Sequence, residues 1–372
     1  MYELMKYYII AGEASGDLHG SNLILALKRQ DAAADIRCWG GDKMQEAGAT
    51  LIKHYRDLAF MGFAEVVLHL RTILRNLRFC KEDILSFQPD VLILIDYPGF
   101  NLRVAKWAKA QKIKVIYYIS PQVWAWKENR VPDMKKSIDR LITILPFEKK
   151  YFKERWNWEV DYAGHPLMEE INNFLLSPLE APLSEKPVIA LLPGSRKQEI
   201  RKKLPVMLEV SRRFPDYQFI VARAPGLESS FYDSFLEGYP NVSAFSGKTY
   251  LILRQATAAM VTSGTATLET ALLGIPQVVC YKGNEISYQI AKRLVKIRYI
   301  SLVNLILNQE AVKELIQNEF NAQNVGDELS MILPGGTKRE KIIQDYAVLK
   351  TSLQSEATAS STAAKMIVEE IK

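Results

Sequence analysis

Asp96 closes the densest apolar run, Val91–Ile95, and opens the turn Asp96-Tyr97-Pro98-Gly99-Phe100-Asn101. A carboxylate at the carboxyl end of a strand can face a ligand and serve as a general base. A turn-forming aspartate, with Pro98 and Gly99 fixing the bend, accounts for the same residues. Gly12, Ser15 and Gly16 occupy segment 11–17, after the first apolar run. Its glycines permit close backbone approach, and a helix starting near Leu18 offers N–H groups to an anion. A turn capped by Asp17 is the plainer reading. Segment 120–126 spaces Trp124 and Trp126 to offer aromatic surface to a sugar or acyl group, or to pack beneath a sheet.

In the second half, Gly194, Ser195 and Arg196 follow an apolar run and precede a long amphipathic segment. Backbone N–H groups at Gly194 and Ser195 suit a phosphate, and Arg196 adds charge-assisted contacts. Ser263, Gly264 and Thr265 repeat the arrangement, with Glu269 in the first turns of the next helix, where it can accept two ribose hydroxyls. Each loop alone is a weak signal; two phosphate-friendly loops in one domain are harder to dismiss. Gly247-Lys248-Thr249 resembles the end of a P-loop, but Val242 stands where the earlier glycine is required. His19, His54, His69 and His165 are scattered, with no cysteine at zinc spacing, and there is no G-x-S-x-G elbow. No metal and no cofactor is expected.

Such loops need strands that end where they begin. Short β-branched runs alternate with helical-period segments, and strands are expected over 6–11, 36–39, 91–95, 114–120, 140–144 and 159–163. A second series covers 188–192, 218–221, 242–245, 258–261 and 277–280. This is the α/β class: two Rossmann-like domains with parallel sheets, facing across a cleft, with ligands at the strands' carboxyl ends. The proline-rich stretch around 175–187 reads as a linker. The expected organisation is 1–170, a linker at 171–187, a second domain at 188–345, and C-terminal helices at 346–372 packing back on the first domain.

The 372 residues are 48% hydrophobic and 24% charged, which excludes disorder and a disulfide scaffold. Forty-eight basic against 42 acidic residues give +6, which suits an anionic ligand or membrane surface and is too mild for nucleic acid. No apolar stretch approaches the roughly 20 residues of a membrane span, and the run at 7–11 is too short for a signal peptide. Three distant cysteines fit a reducing cytosol. Residues 61–78 are different. Met61, Phe63, Val66, Val67, Leu68 and Leu70 make an apolar surface wider than one core stripe, edged by Arg71, Arg75 and Arg78. That pattern suits an interfacial helix on anionic lipid, with a buried helix carrying solvated arginines as the alternative.

In order and at sensible spacing, these segments resemble the lipid-A-disaccharide synthase family, glycosyltransferases of the GT-B type. The matching text is AGEASGDLHG at 11–20, MGFAEV at 61–66, IDYPGFN at 95–101, YYISPQVWAWKENRV at 117–131, LPFEKKYF at 145–152 and GHPL at 164–167. It continues with LLPGSRKQEI at 191–200, SGTATLE at 263–269, and AKRLVK and SLVNLI within 291–306. The resemblance implies an inverting transfer of 2,3-diacylglucosamine from its UDP donor to 2,3-diacylglucosamine 1-phosphate, lipid X. The product is a β-1,6-linked disaccharide 1-phosphate, made peripherally on the cytoplasmic face of a Gram-negative inner membrane. The family's aspartate falls on Asp96, its loop glutamate on Glu13, its phosphate-binding arginine on Arg196, its ribose-side glutamate on Glu269 and its nucleotide-proximal asparagine on Asn304. Where the family usually has a second acidic residue this chain has Gly99, so the base role is assigned to Asp96. Monomer and homodimer both remain open.

Overall fold

Five-residue runs that are wholly apolar, such as Val91-Leu92-Ile93-Leu94-Ile95, form the central strands of two sheets. The computed structural model describes residues 4–58, 70–285, 288–289 and 297–371. The chain divides into one unit of Met1–Pro166 with Gln354–Lys372 and another of Leu167–Leu353.

Among the described residues, the first unit has seven parallel strands: β1 (Lys6–Ala11), β2 (Asp35–Gly40), β3 (Thr50–His54), β4 (Val91–Ile95), β5 (Lys114–Tyr118), β6 (Arg140–Thr143) and β7 (Asp161–Tyr162). Their order is β3-β2-β1-β4-β5-β6-β7. Alternate residues serve two cores. Tyr7, Ile9, Ile93 and Ile95 share one with Leu23 and Leu27 of helix Ala14–Gln30 and with Ala363 and Ile367 of helix Ala359–Ile371. Tyr8, Ile10, Leu92 and Leu94 share the other with Val104 and Ala108 of helix Pro98–Ala110. Covering both faces is what makes these strands continuous apolar runs in sequence.

The second unit contains β8 (Val188–Leu192), β9 (Gln218–Arg223), β10 (Val242–Ser246), β11 (Ala256–Thr262), β12 (Gln277–Tyr281) and β13 (Glu314–Ile316), in the order β10-β9-β8-β11-β12-β13. In each sheet the strand order reverses beside its first strand. The loops after β1 and β4, and those after β8 and β11, therefore part at the carboxyl edge and leave a crevice, the usual ligand position in such sheets.

Two boundaries differ from the sequence expectation. Helix Pro166–Leu175 takes up the start of the expected linker, because Leu167 and Ile171 are buried in the second unit's core. Helix Arg339–Leu353 also belongs there, through buried Tyr346, Leu349 and Leu353. The chain rejoins the first unit only from Gln354, where Ala359–Ile371 packs on Ala14–Gln30. Among the described residues, no helix is long and apolar enough to cross a membrane.

Candidate active site

At the crevice of the first sheet, Asp96 and Tyr97 both take left-handed backbone, with φ of 43° and 50°. Side chains held there cost on the order of 1–3 kcal/mol each and persist only where their surroundings over-determine them. The surroundings are explicit. The Asn101 side-chain amide donates to the Asp96 carbonyl at 2.8 Å and the Ile95 carbonyl at 3.2 Å, and the Tyr117 hydroxyl donates to the Asp96 carbonyl as well. The Tyr97 ring stacks on Phe100 at 5.7 Å and lies over Gly12, where a Cβ would come within 2.3 Å of it. Gly16 is pressed against Ala11, with 3.0 Å left for a Cβ.

This packing brings the loops after β1 and β4 together. The Asp96 carboxyl is pushed up to about 6, first by burial and then by the charge of Glu13, against a hydrogen bond from the Tyr97 backbone. Glu13 also raises the Tyr97 hydroxyl, after burial. A carboxylate poised near working pH is suited to general-base work. The helix expected from Leu18 begins at Ala14, with Glu13 at its N-cap and Ser15 exposed on its first turn. Asp17 is therefore not the cap of its own helix. Its buried carboxylate accepts from the N–H groups of Gly41, Lys43 and Met44 at 2.7, 3.3 and 3.1 Å, capping helix Asp42–Glu46 instead.

The two tryptophans divide the roles proposed for them. The Trp124 indole N–H donates to Glu148 at 3.1 Å, and its ring meets Phe147 edge-on at 4.9 Å. Glu148 is buried, its carboxyl is pushed up to about 7 by that burial, and it also accepts from the backbone of Ile144 and Leu145. Trp124 is thus a packed residue. Trp126 is half exposed, with the Lys127 ammonium 3.9 Å from its ring centroid.

In the second unit, both expected loops border one cavity of about 300 Å³. Gly194 and Ser195 line it after β8, and Ser263, Gly264 and Thr265 after β11. Gly194 (φ 117°) and Gly264 (φ 145°) hold backbone that other residues rarely adopt. Arg223, at the end of β9, is a lining residue that sequence reading missed, although an arginine closing an apolar strand was a visible signal. Its Nε and the Thr262 hydroxyl are buried without a partner among the described residues, so both retain capacity for a ligand.

Three anticipated residues stand elsewhere. Arg196 does not line the cavity; its guanidinium lies 3.8 Å from Glu199, which does. Glu269 accepts from the Tyr250 hydroxyl at 2.7 Å, and burial raises its carboxyl. Tyr250 lines a neighbouring cavity of about 380 Å³ with Phe174, Lys248 and Thr249. Asn304 is fully buried and spent on structure. Its amide donates to Val312 and Glu314, and its carbonyl accepts from Ala311 and Val312, which leaves the side chain no bond for a nucleotide. Its influence is indirect, since Glu314 also holds Ile300 and Ser301, and Ser263 donates to the Ile300 carbonyl.

Met61, Phe63, Val66, Val67 and Leu68 lie outside the described residues, as does the side chain of Leu70. Arg71, Arg75 and Arg78 are exposed on helix Leu70–Phe87, beside Leu74 and Phe79 at 55% and 44% exposure. No group of three or more His, Cys, Asp or Glu among the described residues is placed to hold a metal.

Two parallel-sheet units, one carrying a buried acid and the other a glycine-lined cavity at the same topological place, have the fold of the GT-B class. Solved structures agree on the fold: UDP-GlcNAc 2-epimerase from Neisseria meningitidis at TM-score 0.65 and 14% identity, covering 99% of each chain. A calicheamicin glycosyltransferase gives TM-score 0.63 and 16% identity, covering 100% of this chain and 98% of its own. The particular family is set by sequence. A family model described as lipid-A-disaccharide synthetase matches residues 7–371. Lipid-A-disaccharide synthase from Geobacter sulfurreducens is 36% identical over 363 residues, 94% of this chain and 93% of the relative. The chain belongs to the lipid-A-disaccharide synthase family.

Proposed function

We propose that the protein transfers 2,3-diacylglucosamine from a UDP donor to the 6-hydroxyl of 2,3-diacylglucosamine 1-phosphate, with inversion. The observation that carries this reading is the Asp96–Glu13 pair at the first sheet's crevice. The acceptor oxygen attacks the donor's anomeric carbon as the bond to UDP breaks, and Asp96 takes the hydroxyl proton. Burial and Glu13 hold Asp96 basic enough for this while leaving it ionised at neutral pH. In the second unit, backbone N–H groups around Gly194, Ser195, Gly264 and Thr265, with Arg223, receive the diphosphate without a metal ion. Glu269 serves the ribose side.

Both substrates carry lipid tails, so the proposal includes peripheral attachment to the cytoplasmic face of the inner membrane. Exposed Arg71, Arg75 and Arg78 support it, at about 1 kcal/mol per cation beside anionic lipid. Turnover of labelled UDP-diacylglucosamine with the phosphorylated acceptor is the deciding assay. Disaccharide and UDP should appear in equal amounts and persist in EDTA. Epimerised UDP-sugar without acceptor-dependent product would overturn the transferase reading, and rescue by Mg²⁺ after EDTA would overturn the metal-free leaving group.

A further inference from the structure

A groove of about 360 Å³ runs between helices Pro98–Ala110 and Val131–Ser137 of the first unit. Gly99, Arg103 and Lys106 line it from the first helix and its mouth, and Arg130, Asp133 and Met134 from the second and the turn before it. Each set has the spacing of a single helix face. Three cations less one carboxylate leave a surplus of two positive charges. That matches, with opposite sign, the charge of a phosphomonoester at neutral pH. Asp133 stands 3.8 Å from Lys106, both well exposed, so the remaining surplus rests on Arg103 and Arg130. Buried Met134 gives the groove an apolar floor.

Two further observations tie the groove to Asp96. Arg130 is half-buried, and its charge acts on the Tyr117 hydroxyl, which donates to the Asp96 carbonyl. Gly99 leaves the mouth open, since a Cβ there would meet nothing within 4 Å. An acidic side chain at that position would cancel part of the positive surplus. Its absence keeps the groove cationic.

We propose that this groove binds the phosphomonoester of the acceptor sugar, with Arg103 and Arg130 as its main contacts. The proposal rests on the transfer reaction stated above. The reacting 6-hydroxyl and the anomeric phosphate both flank the ring oxygen of one hexose, so the phosphate must settle within a sugar's width of the base. Arg103 lies five residues into the helix that starts just after Asp96, roughly 7 Å along its axis. An acyl chain on the same sugar finds the apolar floor.

The test titrates glucosamine 1-phosphate, inorganic phosphate and glucosamine into the full chain by calorimetry. Wild type is compared with Arg103→Gln/Arg130→Gln and with Lys136→Gln, an exposed cation of the second helix that does not line the groove. The double variant should bind glucosamine 1-phosphate roughly ten- to hundredfold more weakly. Its inorganic phosphate binding should fall too, while Lys136→Gln and both melting curves stay unchanged. In turnover, KM for the acceptor should rise and KM for the UDP donor should not. An unchanged affinity for the sugar phosphate, an equal loss for plain glucosamine, or no binding by wild type at millimolar ligand would overturn the proposal. Arginine-dependent binding without any disaccharide product would leave the groove standing and overturn the reaction reading instead.

Discussion

The two sheets share a topology and present loops at equivalent crevices, yet they arm them in opposite ways. At the first crevice the left-handed positions carry side chains, Asp96 and Tyr97, pinned by Asn101, Tyr117 and the close fit over Gly12. At the second they are glycines, Gly194 and Gly264, with nothing to pin. Strain is worth keeping where a particular side chain must be aimed. Glycine suffices where only backbone N–H groups need to reach a ligand. On the proposed reading, that contrast follows from one crevice moving a proton and the other holding charge.

The largest effect that would break this division is at Asp96. Asp96→Asn keeps the shape and removes the base, so turnover should fall by about 10²- to 10⁴-fold. UDP affinity, measured by calorimetry, should not change. Near wild-type turnover would end the assignment and pass the role to Glu13.

Gly264→Ala probes the other crevice. A Cβ there meets nothing within 4 Å, so the change brings only backbone strain at φ 145°. On the order of 1–3 kcal/mol is expected, read as weaker UDP binding with kcat nearly intact. Loss of kcat at unchanged UDP affinity would contradict a pure binding role. Asn304→Ala should behave differently again. It leaves buried partners of Val312 and Glu314 unpaired and should lower folding stability by about 1–3 kcal/mol. Denaturant melts should show this at saturating UDP as well as without it.

The strands that could be read to the residue, Lys6–Ala11, Val91–Ile95 and Val188–Leu192, are central ones buried on both faces. The unread strands β3 and β13 are edge strands; Thr50-Leu51-Ile52-Lys53-His54 is only partly buried and Glu314–Ile316 is three residues long, so neither leaves a periodic signal. The loops of the candidate site were legible because parallel sheets place ligands after strands. What was not legible is which side chains the fold had already used. Asp17, Trp124 and Asn304 look available in sequence, but Gly41, Glu148 and Glu314 claim them. Those partners come from other segments, and no local pattern announces the pairing.

The smallest effect separates the two causes acting on Asp96. Its carboxyl stands at about 6, so kcat/KM should fall as pH drops through that value and the base is protonated. Burial is the larger cause and the charge of Glu13 the second. Glu13→Gln removes only the second, so the acid limb should move to lower pH yet stay above that of an ordinary aspartate. Stability runs the opposite way with pH. Between the unfolded value of about 3.9 and the folded one of about 6, the folded chain holds a proton that the unfolded chain has released. Asp96 therefore costs stability as pH rises through that window, and Glu13→Gln should reduce this cost. Urea melts across the window, paired with the pH–rate profile, measure both. A limb that moves upward would mean that Glu13 supports the ionised base instead of repelling it, and the first crevice would then hold charge by the same logic as the second.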